Sequence, residues 1–170
     1  MTLDGATLRS ATARAFVASV GPLFETAPGF LFRLASARPF ESTDALFERA
    51  REIAHGMPEP LQLELVDAHP RLGAPPAGVS AMSYREQGYH HEAAATGGES
   101  DAAVAAELER LNREYEGRFG FRYCVFVAGR ARSALIPEMA AALERERDAE
   151  LHRAIDAVVD IAADRHRRTA

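Results

Sequence analysis

Three places in this 170-residue chain put reactive side chains where the chain is held in a defined direction. The first is His69, in Asp67-Ala68-His69-Pro70-Arg71-Leu72-Gly73. An imidazole titrates near neutrality and can pass a proton at physiological pH, and the rigid Pro70 that follows holds it at the mouth of a loop. A histidine at a helix end also answers the negative end of the helix dipole, and that plain use stays open. The second is Ser83-Tyr84-Arg85-Glu86-Gln87. Ser-x-x-Glu is the capping-box pattern, and the same geometry presents Ser83, Glu86 and helix-start amides to a small polar or anionic ligand. The third is Arg165, which continues the inward stripe Leu151, Ile155, Val158 and Ala162 at steps of four and three. A guanidinium there pairs with an internal carboxylate, waits for an anionic ligand, or snorkels to water at the chain end.

The elements that must position these groups are helical. Alanine, leucine, arginine and glutamate dominate, and all four favour helix. The first helix is expected from about Ala6 to Val20, with Leu8, Ala15, Phe16 and Val20 on one face and Gly21-Pro22 as punctuation. Phe30 to Ala37 stops before Arg38-Pro39, and Ser42-Thr43-Asp44 caps a helix from Ala45 to His55. Pro58 and Pro60 open a helix that ends near His69, and Pro70 to Ala81 reads as a loop. Ser83 begins the next helix, which Thr96-Gly97-Gly98 breaks. Ser100-Asp101 caps another, carrying the stripe Val104, Leu108, Leu111 and Tyr115 up to Gly117–Gly120. The run Tyr123-Cys124-Val125-Phe126-Val127 fits either a buried extended segment or a buried helical turn. Two helices, Ala131 to Arg147 and Asp148 to Arg168, close the chain. The expectation is an all-α fold in one compact domain over residues 1–170.

Composition excludes several chemistries. All 20 basic residues are arginine, so neither a Schiff base nor a P-loop lysine is available. Cys124 is the single cysteine, which leaves no intramolecular disulfide and no cysteine-built zinc site. A net charge of −5 argues against nucleic acid or an anionic membrane as partner. Met1 to Ser10 lacks the apolar core of a signal peptide, so a cytoplasmic location is expected. Glu52 and His55 form one Glu-x-x-His step, where a di-iron bundle needs two. Glu86, His90 and His91-Glu92 suit a solvated helix face better than a metal site.

These positions also carry a family resemblance. Ala68-His69-Pro70-Arg71-Leu72-Gly73, Ser83-x-x-Glu86-Gln87 and Leu111-Asn112-x-x-Tyr115-x-x-Arg118-Phe119-Gly120-Phe121 resemble the signature blocks of 2-oxo-4-hydroxy-4-carboxy-5-ureidoimidazoline (OHCU) decarboxylase. Arg38-Pro39-Phe40 and Glu150-Leu151 to Arg165 fall where that family has similar residues. The resemblance implies an all-helical, cofactor-independent, metal-free homodimer that converts OHCU to (S)-allantoin and carbon dioxide in urate breakdown. It implies His69, Glu86 and Arg165 as catalytic groups. Pro70, the helix start Ser83, Tyr84, Arg85 and Gln87, and the segment Tyr123, Cys124, Val125, Phe126 and Val127 would contact the substrate. The chain departs from the pattern at Arg122, where the family often has proline, and at Gly88-Tyr89-His90. A helical binding module for a ureido or purine-derived ligand, without turnover, is the alternative.

Overall fold

The computed structural model describes residues 3–74, 80, 82–83 and 99–169, with only the backbone given for residues 99–101. Among these residues every regular element is a helix. The chain falls into two compact units, one made of Met1–Ala68 and Ile155–Ala170, the other of His69–Ala154.

The first unit opens with two short helices, α1 (Gly5–Arg9) and α2 (Ala13–Val20), where the sequence pattern suggests one. Asp4 and Thr12 each accept a hydrogen bond from the backbone amide three residues on, so local capping outcompetes continuation across Ser10 to Thr12. Leu8, Phe16 and Val20 are buried, whereas Ala15 faces outward. A 3₁₀ turn over Gly21–Phe24 leads to α3 (Pro28–Ser36). Helix α4 (Thr43–Gly56) starts from the expected cap, Ser42, whose hydroxyl accepts from the Ala45 amide at 3.1 Å. Helix α5 (Glu59–Asp67) follows Pro58. Helix α3 packs against α2, α4 and α5. Glu64 reaches across from α5 to accept from the Gly29 amide at 2.7 Å, supplying a cap that α3 lacks in its own sequence.

Helix α6 (Glu99–Phe119) is already running at Ser100, so Ser100-Asp101 lies inside it. It packs on α7 (Arg132–Ala142) and ends at Gly120, whose φ of +80° suits a residue without Cβ. The last helix, α8 (Arg147–Thr169), starts in the second unit and finishes in the first. Leu151, Ile155, Val158, Ala162 and Arg165 are all buried, as the stripe requires. No helix among the described residues is long and apolar enough to cross a membrane.

One charged network knits α4 to the end of α8. Arg51 contacts both Asp156 and Asp160, and His55 Nε2 lies 2.8 Å from Asp156 Oδ1. Glu52 pairs instead with Arg49, so the Glu-x-x-His step is spent on ion pairs. Burial by itself would raise the pKa of Asp156, but the hydrogen bonds from His55 and Arg51 outweigh it and hold the carboxylate below its ordinary 3.8. A depressed carboxylate pKa contributes stability fully above the unfolded-state value and loses it as pH falls through the folded one. Asp156 is close to half exposed, so screening limits the effect. Asp156→Asn should therefore cost about 1 kcal/mol at pH 7. Urea unfolding below the ordinary Asp156 pKa of 3.8 should show the gap between variant and wild type closing.

Candidate functional site

Helix α5 ends at Asp67 with Ala68 as its cap, for the reason the sequence suggests: the residue before a proline is pushed out of the α region. His69 therefore leaves the helix at its mouth. It is 4% exposed, and its Nε2 is wholly buried. The loop that follows is tied down residue by residue. The His69 carbonyl accepts from Arg122 Nη1 at 3.0 Å, and the Leu72 carbonyl accepts from Asn112 Nδ2 at 2.9 Å. Arg71 Nε donates to Glu116 Oε1 at 2.7 Å. Gly73 takes φ +78°, and a Cβ there would stand 3.0 Å from Leu108 Cδ1. Leu108, Asn112 and Glu116 recur every fourth residue, so one face of α6 clamps the histidine loop.

The segment Tyr123–Val127 belongs to no helix, which removes the helical-turn reading. It runs as irregular chain, with Tyr123, Cys124, Val125 and Val127 buried and Phe126 half-buried. Irregular backbone inside a protein needs partners for its polar groups. Arg153 supplies one, donating from Nη1 to the Cys124 carbonyl at 2.9 Å while its guanidinium covers the Tyr123 ring at 4.9 Å. Arg153 is in turn held by Glu150, whose carboxylate has no solvent exposure at all. Glu150 also accepts from the Tyr115 hydroxyl at 2.9 Å and from Arg145 at 3.1 Å. Burial, reinforced by the Glu150 charge, pushes the Tyr115 phenol far above its ordinary 10.0, so it remains a donor. Burial does the same to Tyr123, whose hydroxyl is enclosed without a hydrogen-bond partner among the described residues.

Ser83 is 2% exposed, and the structure corrects its expected place. Its own amide donates to Ser80 Oγ at 3.2 Å, and residues 82 and 83 are already helical. The cap is Ser80, three residues earlier, so Ser83 sits inside the first turn and its burial has a cause other than capping. Tyr84, Arg85, Glu86 and Gln87, together with His90, His91 and Thr96-Gly97-Gly98, lie outside the described residues. Pro70 is half-buried beside His69.

Arg165 is 2% exposed and takes the first of its three readings, pairing with an internal carboxylate. Its Nη2 meets Glu25 Oε1 at 2.7 Å, while Nη1 donates to the carbonyls of Pro22 and Leu23 at 3.2 and 3.1 Å. The 3₁₀ turn explains why those carbonyls are available, since a short helix leaves its last C=O groups without internal partners. Arg165 belongs to the first unit, whereas His69, Ser83 and Tyr123–Val127 belong to the second. No group of three His, Cys, Asp or Glu side chains fit to hold a metal occurs among the described residues.

Sequence reasoning placed Asn112 and Glu150 in family-like blocks without giving them a role, and passed over Arg153 and Glu25. A signal for Glu150 was present: Glu150, Ala154, Ala157, Ile161 and Asp164 form a second buried line on α8 at steps of four and three. The test that singled out Arg165 finds Glu150 as well.

Residues 9–167 match the family described as OHCU decarboxylase. The uric acid degradation bifunctional protein PucL of Bacillus subtilis is 31% identical over 144 residues, a stretch covering 85% of this chain and 28% of that protein. The chain thus spans little more than a quarter of that relative. The 2-oxo-4-hydroxy-4-carboxy-5-ureidoimidazoline decarboxylase of Haloferax volcanii is 29% identical over 150 residues, covering 86% of this chain and 84% of that one. A crystal structure of OHCU decarboxylase in the presence of (S)-allantoin shares the fold, with a TM-score of 0.68 at 21% identity over 89% of this chain and 96% of that one.

Removing one partner of a buried ion pair leaves the other charge uncompensated, at a cost of about 3–5 kcal/mol. Glu150→Ala should approach that loss in chemical denaturation. Glu150→Gln, which keeps an acceptor for Tyr115 and Arg153, should lose clearly less.

Proposed function

This chain belongs to the OHCU decarboxylase family, and we propose that it catalyses the cofactor-independent decarboxylation of OHCU to (S)-allantoin and carbon dioxide. The observation that carries this reading is the burial and backbone clamping of His69, the family's catalytic histidine by resemblance, in a chain matched over residues 9–167.

The chemistry asks little of a prosthetic group. Breaking the bond between C4 and its carboxylate releases carbon dioxide and leaves an electron pair on carbon. The adjoining unsaturated ring takes up that pair, and a proton delivered to one face of the ring completes (S)-allantoin. Stereochemistry then depends on a proton donor held in one direction. His69 is assigned that role, either as the donor or as the base that first takes the C4 hydroxyl proton. General acid–base help of this kind is worth roughly 10²–10⁴-fold. Near-complete burial at His69 keeps bulk water from competing as an unselective donor.

Glu86 is assigned hydrogen bonds to ring or ureido N–H groups and crowding of the departing carboxylate, whose loss relieves repulsion. Ser83, Tyr84, Arg85 and Gln87 are assigned substrate contacts by the resemblance, as are Pro70 and the backbone of Tyr123–Val127. Arg165 is assigned a substrate oxyanion or ureido carbonyl through its planar fork. Glu25 already lies on this guanidinium, so substrate and Glu25 share or compete for it. The reading takes residues 1–170 as one functional domain, acting without metal or cofactor on a small-molecule substrate, as a cytoplasmic homodimer.

His69→Asn should abolish turnover of freshly generated OHCU while leaving the thermal melt unchanged. Near-wild-type formation of (S)-allantoin, followed by circular dichroism, would remove His69 from the mechanism. Glu86→Gln should lower kcat at unchanged melting temperature, because the amide keeps the hydrogen-bonding shape and loses the charge. A variant as active as wild type would return Glu86 to a structural role.

A further inference from the structure

The residue that departs most plainly from the family pattern touches the residue assigned the chemistry. Arg122 Nη1 donates to the backbone carbonyl of His69 at 3.0 Å. We propose that Arg122 is a positioning residue for His69, fixing the direction in which its imidazole leaves the main chain. The inference rests on the assignment of His69 as the proton-transfer group.

The geometry follows from the few rotations left to this backbone. On the amino side, the Ala68 amide donates to the Glu64 carbonyl, which ties Ala68 to the last turn of α5. On the carboxyl side, Pro70 has a locked φ near −65° and offers no N–H to any partner. The ψ torsion of His69 is the one that swings its carbonyl. A donor on that oxygen restrains ψ, and with it the orientation of the His69–Pro70 peptide plane relative to the Cα–Cβ bond.

A clamp serves only if its own base is firm. Arg122 is followed by Tyr123 and Cys124, both buried, and the Cys124 carbonyl is held by Arg153, which Glu150 grips from α8. Beyond Pro70, Asn112 holds the Leu72 carbonyl from α6. His69 thus lies between two anchored stretches, and Arg122 joins the pocket-lining segment to the proton-transfer residue. Proline at this position has no side-chain donor, so a chain with proline there must orient its histidine by other means.

The test compares Arg122→Ala and Arg122→Lys with wild type. Misplacing a reacting group by about 1 Å costs up to ~100-fold in rate. Partial loosening by Arg122→Ala should therefore lower kcat about tenfold. KM should stay within about twofold, since a lost transition-state alignment leaves ground-state binding alone. Arg122→Lys, which keeps an N–H donor at similar reach, should recover most of kcat. A fall in melting temperature with kcat intact in Arg122→Ala overturns the proposal, as does a lysine variant no better than alanine.

Hydrogen exchange at the amides of residues 71–73 reads the tie without catalysis. Faster exchange in the alanine variant and recovery in the lysine variant support it, and unchanged exchange overturns it. Failure of wild-type protein to turn over OHCU would instead strike the proposed function, leaving the exchange result to decide the tie.

Discussion

Glu150 carries its carboxylate with no exposure to solvent, and the second unit is organised around making that tolerable. An unpaired charge in the interior costs several kcal/mol even after relaxation. Tyr115, Arg145 and Arg153 supply the compensation, from α6, from the turn after α7 and from α8 itself. Each donor reaches Glu150 only if its own element is in register. The carboxylate therefore specifies geometry more than it adds net stability, since hydrophobic residues of like volume would serve stability at least as well. Arginine suits this duty better than lysine because one planar group engages a carboxylate, a carbonyl and an aromatic face together. Arg153 does all three, on Glu150, Cys124 and Tyr123.

The first unit uses the same device at Arg165. There the buried charge is the cation, and Glu25 with the carbonyls of Pro22 and Leu23 receives it. Glu25 has φ +49°, a left-handed conformation uncommon for a residue with Cβ. That backbone ends the 3₁₀ turn, and Glu25 is also the residue whose carboxylate meets the guanidinium. In a chain without lysine, every internal cation other than a protonated histidine is an arginine whose charge cannot be titrated away, so each such guanidinium must be met by fixed acceptors.

How much of this could be read beforehand follows from the range of the interactions involved. Short-range signals were legible. The Ser42 cap, the end of α5 before Pro70 and the stripe from Leu151 to Arg165 all rest on neighbours within about one helical turn. The same reasoning failed where two local signals competed. Ser80 and Ser83 both suit a cap, and only the backbone decides for Ser80. Thr12 breaks a pattern that periodicity alone would continue from Ala6 to Val20. Long-range partners were out of reach: nothing near Arg122 in sequence points to the His69 carbonyl, and nothing near Tyr123–Val127 says that Arg153 satisfies it. Of the expected site, His69, Ser83 and Arg165 proved buried as polar residues seldom are, which is where their types and spacing had singled them out.

The three buried polar groups are not equivalent in what holds them. Arg165 and Ser83 are fixed through contacts to their own side chain or amide, inside helices whose backbones are already regular. His69 stands outside any helix, and its orientation has to be built from separate contacts on the loop around it. A bond to the backbone carbonyl itself occupies neither ring nitrogen, and the proposed proton transfer would use one of those nitrogens. Under the proposed role of His69, clamping the main chain reconciles a fixed direction with a side chain that moves a proton. It also explains why the holding residues, Arg122, Asn112 and Glu116, come from α6 and the segment just beyond it, while the histidine comes from the loop they enclose.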